Sequence, residues 1–148
     1  MTRIEKSIEI NTPPEKAWPK FKWDTLPEWQ PEFKTIEWTS KDKDKVGSTL
    51  HLTGELAGTK TEFDLELTEM IENEKMAYRT TRGNLTAAGF VTLQPTKAGT
   101  KVTMMIDYEL PYSVLGKLID KLRVHKALDK SYDNALKKLK DVLEKENV

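Results

Sequence analysis

The last quarter of the chain, from Pro111 to Val148, decides what the rest can fold into. It has no proline after Pro111 and one glycine, Gly116, so beyond its first turn nothing interrupts a helix. Leu115, Leu118, Ile119, Leu122, His125, Leu128, Tyr132, Ala135, Leu136, Leu139, Val142 and Leu143 recur at steps of three and four, on one stripe of a helix from about Ser113 to Lys145. At 1.5 Å per residue that helix runs ~50 Å. An apolar stripe of this length needs a cover, and a broad curved sheet is the cover that a chain of 148 residues can supply.

The preceding residues read as that sheet. Arg3 to Ile10 alternates, with Ile4, Lys6, Ile8 and Ile10 on one side. Lys6 on the apolar side has two readings, a stem that packs while its amine reaches solvent, or a charge aimed into a cavity. Thr12-Pro13-Pro14-Glu15 predicts a helix start in which Thr12 caps, Pro13 takes the first position and Glu15 closes a capping box. Ala17, Trp18 and Phe21 give one short helix, and a second turn follows at Asp24 to Trp29. Strands are predicted at Phe33 to Ser40, Ser48 to Glu55, Thr59 to Met70, Lys75 to Arg82, Leu85 to Gln94 and Thr100 to Leu110, separated by short turns. The inner face of Lys75 to Arg82 stays open, since Met76, Tyr78 and Thr80 oppose Ala77, Arg79 and Thr81. Hairpin-linked strands imply an antiparallel sheet with one wet face, and His51 falls on the outside.

Composition removes several function classes. Lys plus Arg and Asp plus Glu number 24 each, so nothing draws the whole molecule to nucleic acid or an acidic membrane. The absence of cysteine excludes disulfides, an iron–sulfur site and a thiol nucleophile. Two histidines, His51 and His125, are too few for an ordinary zinc site without carboxylates, and no metal or cofactor is expected. No signal-type run and no stretch of ~18 apolar residues occurs, so the expectation is a cytoplasmic protein without stable membrane insertion.

The order of elements, together with particular residues, resembles the START-like superfamily of helix-grip proteins, which includes the birch-pollen allergen group and the polyketide cyclase/dehydrase and lipid transport family. The residues that carry the resemblance are Ile8-Glu9-Ile10 followed by Thr12-Pro13-Pro14-Glu15-Lys16-Ala17-Trp18, then Trp29 with Pro31 two residues on. Val46-Gly47, Gly99-Thr100-Lys101-Val102-Thr103 and Leu115-Gly116-Lys117-Leu118 complete the set. The resemblance implies one α+β domain over residues 1–148, a seven-stranded antiparallel sheet curved around the long C-terminal helix, with two short helices between strands one and two. It implies a cavity between sheet and helix for an apolar or amphipathic ligand. Because the superfamily hosts carriers, receptors, cyclases and chaperone-activating modules, the fold does not name the function.

The inner faces are almost wholly apolar. Lys6, Tyr108, His125 and Tyr132, joined by Arg79 or Tyr78, are the side chains able to bring a polar atom to such a cavity, which describes a ligand site better than an acid–base engine. The expected ligand contacts are Trp38, Leu52, Phe63, Leu65, Met104, Ile106, Tyr108, Leu118, Ile119, Leu122 and His125. Trp18 and Trp29 are read as packing the short helices onto the sheet. The helix divides accordingly: from Tyr132 onward it is core packing, and its N-terminal half faces the cavity. The leading expectation is binding or transport of a small lipid or polyketide-like molecule by a monomer or weak dimer. One alternative is a cyclase or dehydratase-like enzyme with His125 and Tyr108 as acid and base. Another is a module that regulates a partner, as chaperone activators do; the balance of residues leans away from an enzyme.

Overall fold

The computed structural model describes residues 2–83, 85–109 and 118–146, the side chains of 118–120 excepted. Strand β1 (Thr2–Ile10) leads through a four-residue helix α1 (Pro14–Ala17) and two 3-10 turns (Trp18–Phe21 and Trp23–Glu28) into β2 (Phe33–Trp38). Then come β3 (Thr49–Leu56), β4 (Thr59–Ile71), β5 (Lys75–Gly83), β6 (Thr86–Pro95), β7 (Thr100–Glu109) and the helix α2 (Leu118–Glu146). The strands form one antiparallel sheet in the order β1-β7-β6-β5-β4-β3-β2. This is the helix-grip arrangement that the resemblance implies.

The sheet curves because its strands are unequal partners. β1 and β7 pair without a shift from Thr2↔Tyr108 to Ile10↔Thr100. β4 and β5 slip register between Asp64 and Leu65 and again between Leu67 and Glu69, and such irregularities bend a strand and increase its twist. The concave face receives α2, whose Leu128, Tyr132, Ala135, Leu136, Leu139 and Leu143 are buried with Ile4, Ile10, Leu93 and Val102.

Polar contacts fix α2 against β1. Lys6 Nζ lies 3.1 Å from Asp129 Oδ1 and 3.4 Å from Asp133 Oδ2, and the hydrogen bond to Asp129 leads the causes that raise its pKa. Its amine therefore neither enters a cavity nor stands alone in solvent. Lys140 Nζ donates to the Glu9 carbonyl at 3.1 Å, and the Asn11 N–H donates to Glu144 at 2.9 Å. Partly solvated pairs of this kind set position more than they stabilise. Lys20 Nζ, 3.3 Å from Glu28 and 3.1 Å from Glu146, ties the 3-10 turns to the far end of the helix. No helix among the described residues is long and apolar enough to cross a membrane.

Two expectations need correction. The capping box does not form: Pro13 is the N-cap, in extended conformation, and Pro14 opens α1 without a side-chain cap. Thr12 is buried instead, its hydroxyl donating to the Leu143 carbonyl at 3.5 Å and its own carbonyl accepting from Thr100 Oγ1 at 2.6 Å. Tertiary partners have taken the group that a four-residue helix would have used. Leu122 is 67% exposed. At ~100° per residue it stands about 120° from Leu128 and shares a face with half-exposed Asp129, so steps of three and four drifted off the stripe there. The expected short helices between β1 and β2 are present, as one turn of α-helix and two 3-10 segments, with Pro19 at the start of the first 3-10 segment and Pro27 inside the second. The open question on β5 is answered: Met76, Tyr78 and Thr80 face inward. The expected helix start near Ser113, with Leu110, Leu115 and Gly116, lies outside the described residues.

The stripe makes unequal demands on its leucines. Leu139→Ala lowers unfolding free energy by about 2–5 kcal/mol, whereas Leu122→Ala changes it by less than about 0.5 kcal/mol, both measured by urea denaturation. Equal losses at the two sites would contradict the packing described.

Candidate functional site

Where α2 leaves its seam with β1, the sheet and helix leave a cavity of about 90 Å³, partly open to solvent, room for several water-sized spheres. The middle of the sheet opens it. β6 presents the small side chain of Ala87 inward to the space, while the ring of Tyr78 covers Gly89. Around that gap stand Leu65 and Phe63 from β4, Met76 and Tyr78 from β5, Val91 from β6, and Met104 and Ile106 from β7. Leu128, Ser131 and Tyr132 form the roof, and Trp23, Leu26 and Phe33 close one end. Gln30, Glu32, Glu55 and Thr61 also belong to the lining.

Tyr78 owes its place to a missing side chain. It pairs in register with Gly89, and a Cβ on that glycine would stand 2.7 Å from the Tyr78 hydroxyl oxygen and 2.6 Å from the Met105 carbonyl oxygen. The ring therefore lies down against β6, with its hydroxyl beside that of Tyr132. Burial, followed by the presence of Tyr78, pushes the Tyr132 phenol well above the ordinary phenol range. Burial likewise raises Tyr78. Both rings are neutral at physiological pH and act as hydrogen-bonding groups, not as bases. Trp23 meets Tyr78 edge to face, centroids 5.5 Å apart and planes at 89°. Thr80 is satisfied locally, its hydroxyl accepting from the Ala87 N–H at 2.8 Å.

The residues expected to touch ligand are spread over several places. Phe63, Leu65, Met104 and Ile106 line the cavity. Leu52 is fully buried in the core beside it. Trp38, on edge strand β2, is partly buried and donates its Nε1–H to Asp24 at 2.9 Å, away from the lining. Tyr108 and His125 face each other, with 2.8 Å between the Tyr108 hydroxyl and His125 Nδ1 and rings stacked at 6.3 Å. That pair is next to the cavity and not part of its lining. Leu122 points to solvent, and the side chains of Leu118 and Ile119 are outside the description.

Trp23, Phe33, Ala87 and Leu128 were not singled out as ligand contacts from the sequence, and Tyr78 stood there only as an alternative to Arg79 for bringing a polar atom to the cavity. Ala87 and Gly89 carried the available signal, two small residues on the inner face of one strand. Trp23 carried none, because it sits in an aperiodic connector. Trp18 and Trp29 are buried in that same connector, Trp29 with its Nε1–H on the Lys20 carbonyl at 2.9 Å.

The outer face of the sheet holds a separate charged depression at His51, Glu62, Asp64 and Arg82. His51 Nδ1 lies 2.5 Å from Asp64 Oδ1 and Nε2 2.9 Å from Glu62 Oε1. The hydrogen bond to Asp64, opposed by partial desolvation and helped by Glu62, raises the imidazole above its usual 6.5. Among the described residues no group of three or more His, Asp and Glu side chains is arranged to hold a metal ion.

A family model described as polyketide cyclase / dehydrase and lipid transport matches residues 1–144. An uncharacterised 17.2 kDa protein of Streptomyces lincolnensis is 32% identical over 124 residues, 82% of this chain and 78% of its own. The ZhuI aromatase/cyclase of Streptomyces sp. R1128 superposes with a TM-score of 0.82 at 15% identity, covering 99% of this chain and 96% of its own. A START superfamily protein of Mycobacterium smegmatis gives 0.75 at 20% identity, covering 97% of each chain. At these identities the structural likeness concerns the fold.

Two outcomes follow from the geometry. Gly89→Ala forces the Tyr78 ring or the Met105 backbone to move and destabilises the protein by about 1–3 kcal/mol; an unchanged urea midpoint would show that the ring is not held there. A raised histidine stabilises the fold fully below the unfolded pKa near 6.5 and loses that contribution as pH rises through the folded value. Thermal unfolding from about pH 5.5 to about 8.5 should therefore show His51→Gln furthest below wild type at the acid end. A constant difference across that range would mean that the two carboxylates do not hold the imidazolium.

Proposed function

The chain belongs to the polyketide cyclase / dehydrase and lipid transport family, and we propose that within it this protein binds and carries a small apolar or amphipathic molecule in the cavity between α2 and the sheet. The observation that carries this reading is the space itself. An interior that the sheet and helix could have closed holds open space instead, walled by apolar and aromatic side chains with a few polar groups. That composition is typical of ligand pockets. Burying an apolar ligand there gains roughly 25 cal/mol per Å² removed from water.

The enzyme alternative required Tyr108 and His125 to meet a substrate. Their hydrogen bond is directed at each other, and the cavity lining passes them by. Binding without chemistry needs neither. The same reading takes the protein to be cytoplasmic and to act as a monomer or weak dimer.

Ala87 offers a clean test, because a larger side chain there grows into the open space instead of into packed core. Ala87→Phe should leave the protein folded, with stability within about 1–3 kcal/mol of wild type, and weaken uptake of a neutral lipophilic dye at least about tenfold. Unchanged dye affinity in a folded variant would place binding elsewhere, and no dye uptake by wild type would overturn the reading.

A further inference from the structure

The charges of α2 are sorted by face. From Lys121 to Lys138 every charged side chain that is exposed is positive: Lys121, Arg123, Lys126, Lys130, Lys137 and Lys138. The two carboxylates of that stretch, Asp129 and Asp133, are half-buried and turned to Lys6 of β1, which offsets one of their two charges. None of the six cations forms an ion pair among the described residues. At about 100° per residue, Arg123, Lys126, Lys130 and Lys137 fall within about 60° of one another. They make a ridge ~21 Å long on the side of the helix turned away from buried Leu139 and Leu143. Because the chain as a whole is neutral, this excess is balanced elsewhere, and the molecule is polarised, with its helix side drawn toward a negative field.

Two features at the N-terminal end of the ridge narrow the partner. Leu122 is 67% exposed and stands about 40° around the helix from Lys126, an apolar side chain among cations. Arg123 lies against the β3–β4 turn, where a Cβ on Gly58 would be 3.5 Å from its Nη2. Leu56 and Thr61, on either side of that turn, line the cavity, so the ridge starts beside the cavity's wall. An acidic protein would match the cations and has no particular use for Leu122. A bilayer with anionic headgroups offers both phosphates for the lysines and an apolar boundary for the leucine.

We propose that the solvent face of α2 from Lys121 to Lys138 docks reversibly on an anionic lipid bilayer, with Leu122 entering its surface and the β3–β4 side of the cavity brought against it. The docking stands apart from the ligand-binding reading, since it is built from residues outside the cavity.

Co-sedimentation of the full chain with vesicles tests it, using phosphatidylcholine alone and phosphatidylcholine with about 30% phosphatidylglycerol. Wild type should sediment with the anionic vesicles at about 0.05 M NaCl, be released at about 0.5 M, and stay in solution with phosphatidylcholine alone. Arg123→Gln/Lys126→Gln/Lys130→Gln/Lys137→Gln should weaken the anionic-vesicle affinity at least about hundredfold. Removing four cations elsewhere, by Lys41→Gln/Lys45→Gln/Lys97→Gln/Lys101→Gln, should weaken it less than about fivefold, and Leu122→Ser at least about threefold. Should the fourfold ridge variant unfold, Arg123→Gln/Lys126→Gln and Lys130→Gln/Lys137→Gln should each still cost about tenfold. Equal losses in the ridge and control variants, equal binding to the two vesicles, or no sedimentation of wild type overturns the docking. Binding to soluble poly-L-glutamate with none to the vesicles assigns the ridge to an acidic protein and overturns it too. Dye uptake by wild type without vesicles reports on the carrier reading separately.

Discussion

The structure depends on how a 29-residue helix with one apolar stripe is seated on a curved sheet. Over Tyr132, Leu136, Leu139 and Leu143 the stripe is sunk into the concave face, while Lys6, Glu9 and Asn11 of the first strand and its exit hold the helix surface through Asp129, Asp133, Lys140 and Glu144. With that half anchored, the sheet's curvature decides what happens at the other. The middle of the sheet offers Ala87 where the roof is Leu128, Ser131 and Tyr132, so space remains between them. The cavity follows from firm seating at one end and a small side chain under the other.

Much of this was legible in the residues. Alternation located the strands, and the missing helix breakers after Pro111 located the helix. The inner positions Phe63, Leu65, Met104 and Ile106 follow from period two alone. What escaped had physical causes. Leu122 fits steps of three and four, but a straight helix turns 3.6 residues, and the mismatch carries it toward solvent. Thr12 has the chemistry of a cap, but a buried hydroxyl beside the end of α2 found tertiary partners first. Trp23 lies in a connector with no period at all, and its position in the wall depends on how the chain crosses from β1 to β2. Tyr78 could not be assigned a face because both sides of β5 mix apolar and polar residues; its register with Gly89 settles it.

Electrostatics divides the molecule into two regimes. The outer sheet face pairs charges in water, with His51 held between Asp64 and Glu62 and Arg79 lying 3.2 Å from Glu66. Such contacts respond to pH and salt and tolerate change. Inside, the buried polar groups are phenols, hydroxyls and one indole, each neutral across the physiological range, where an unsatisfied donor has consequences that a surface charge does not; the lining's charged members, Glu32 and Glu55, are half-buried and exposed, respectively. Family membership agrees with an interior used for ligands, while the low identity to solved structures leaves the choice of ligand to the residues of this chain.

The central claim is that the space under Leu128 and Tyr132 exists to be filled. Native mass spectrometry of the protein purified from its own host without organic solvent addresses it most directly. The account predicts a discrete adduct of small-molecule mass on the wild-type chain, released on denaturation and absent when Ala87→Phe occupies the space. A bare mass under the gentlest conditions, or an adduct that Ala87→Phe keeps, would contradict it.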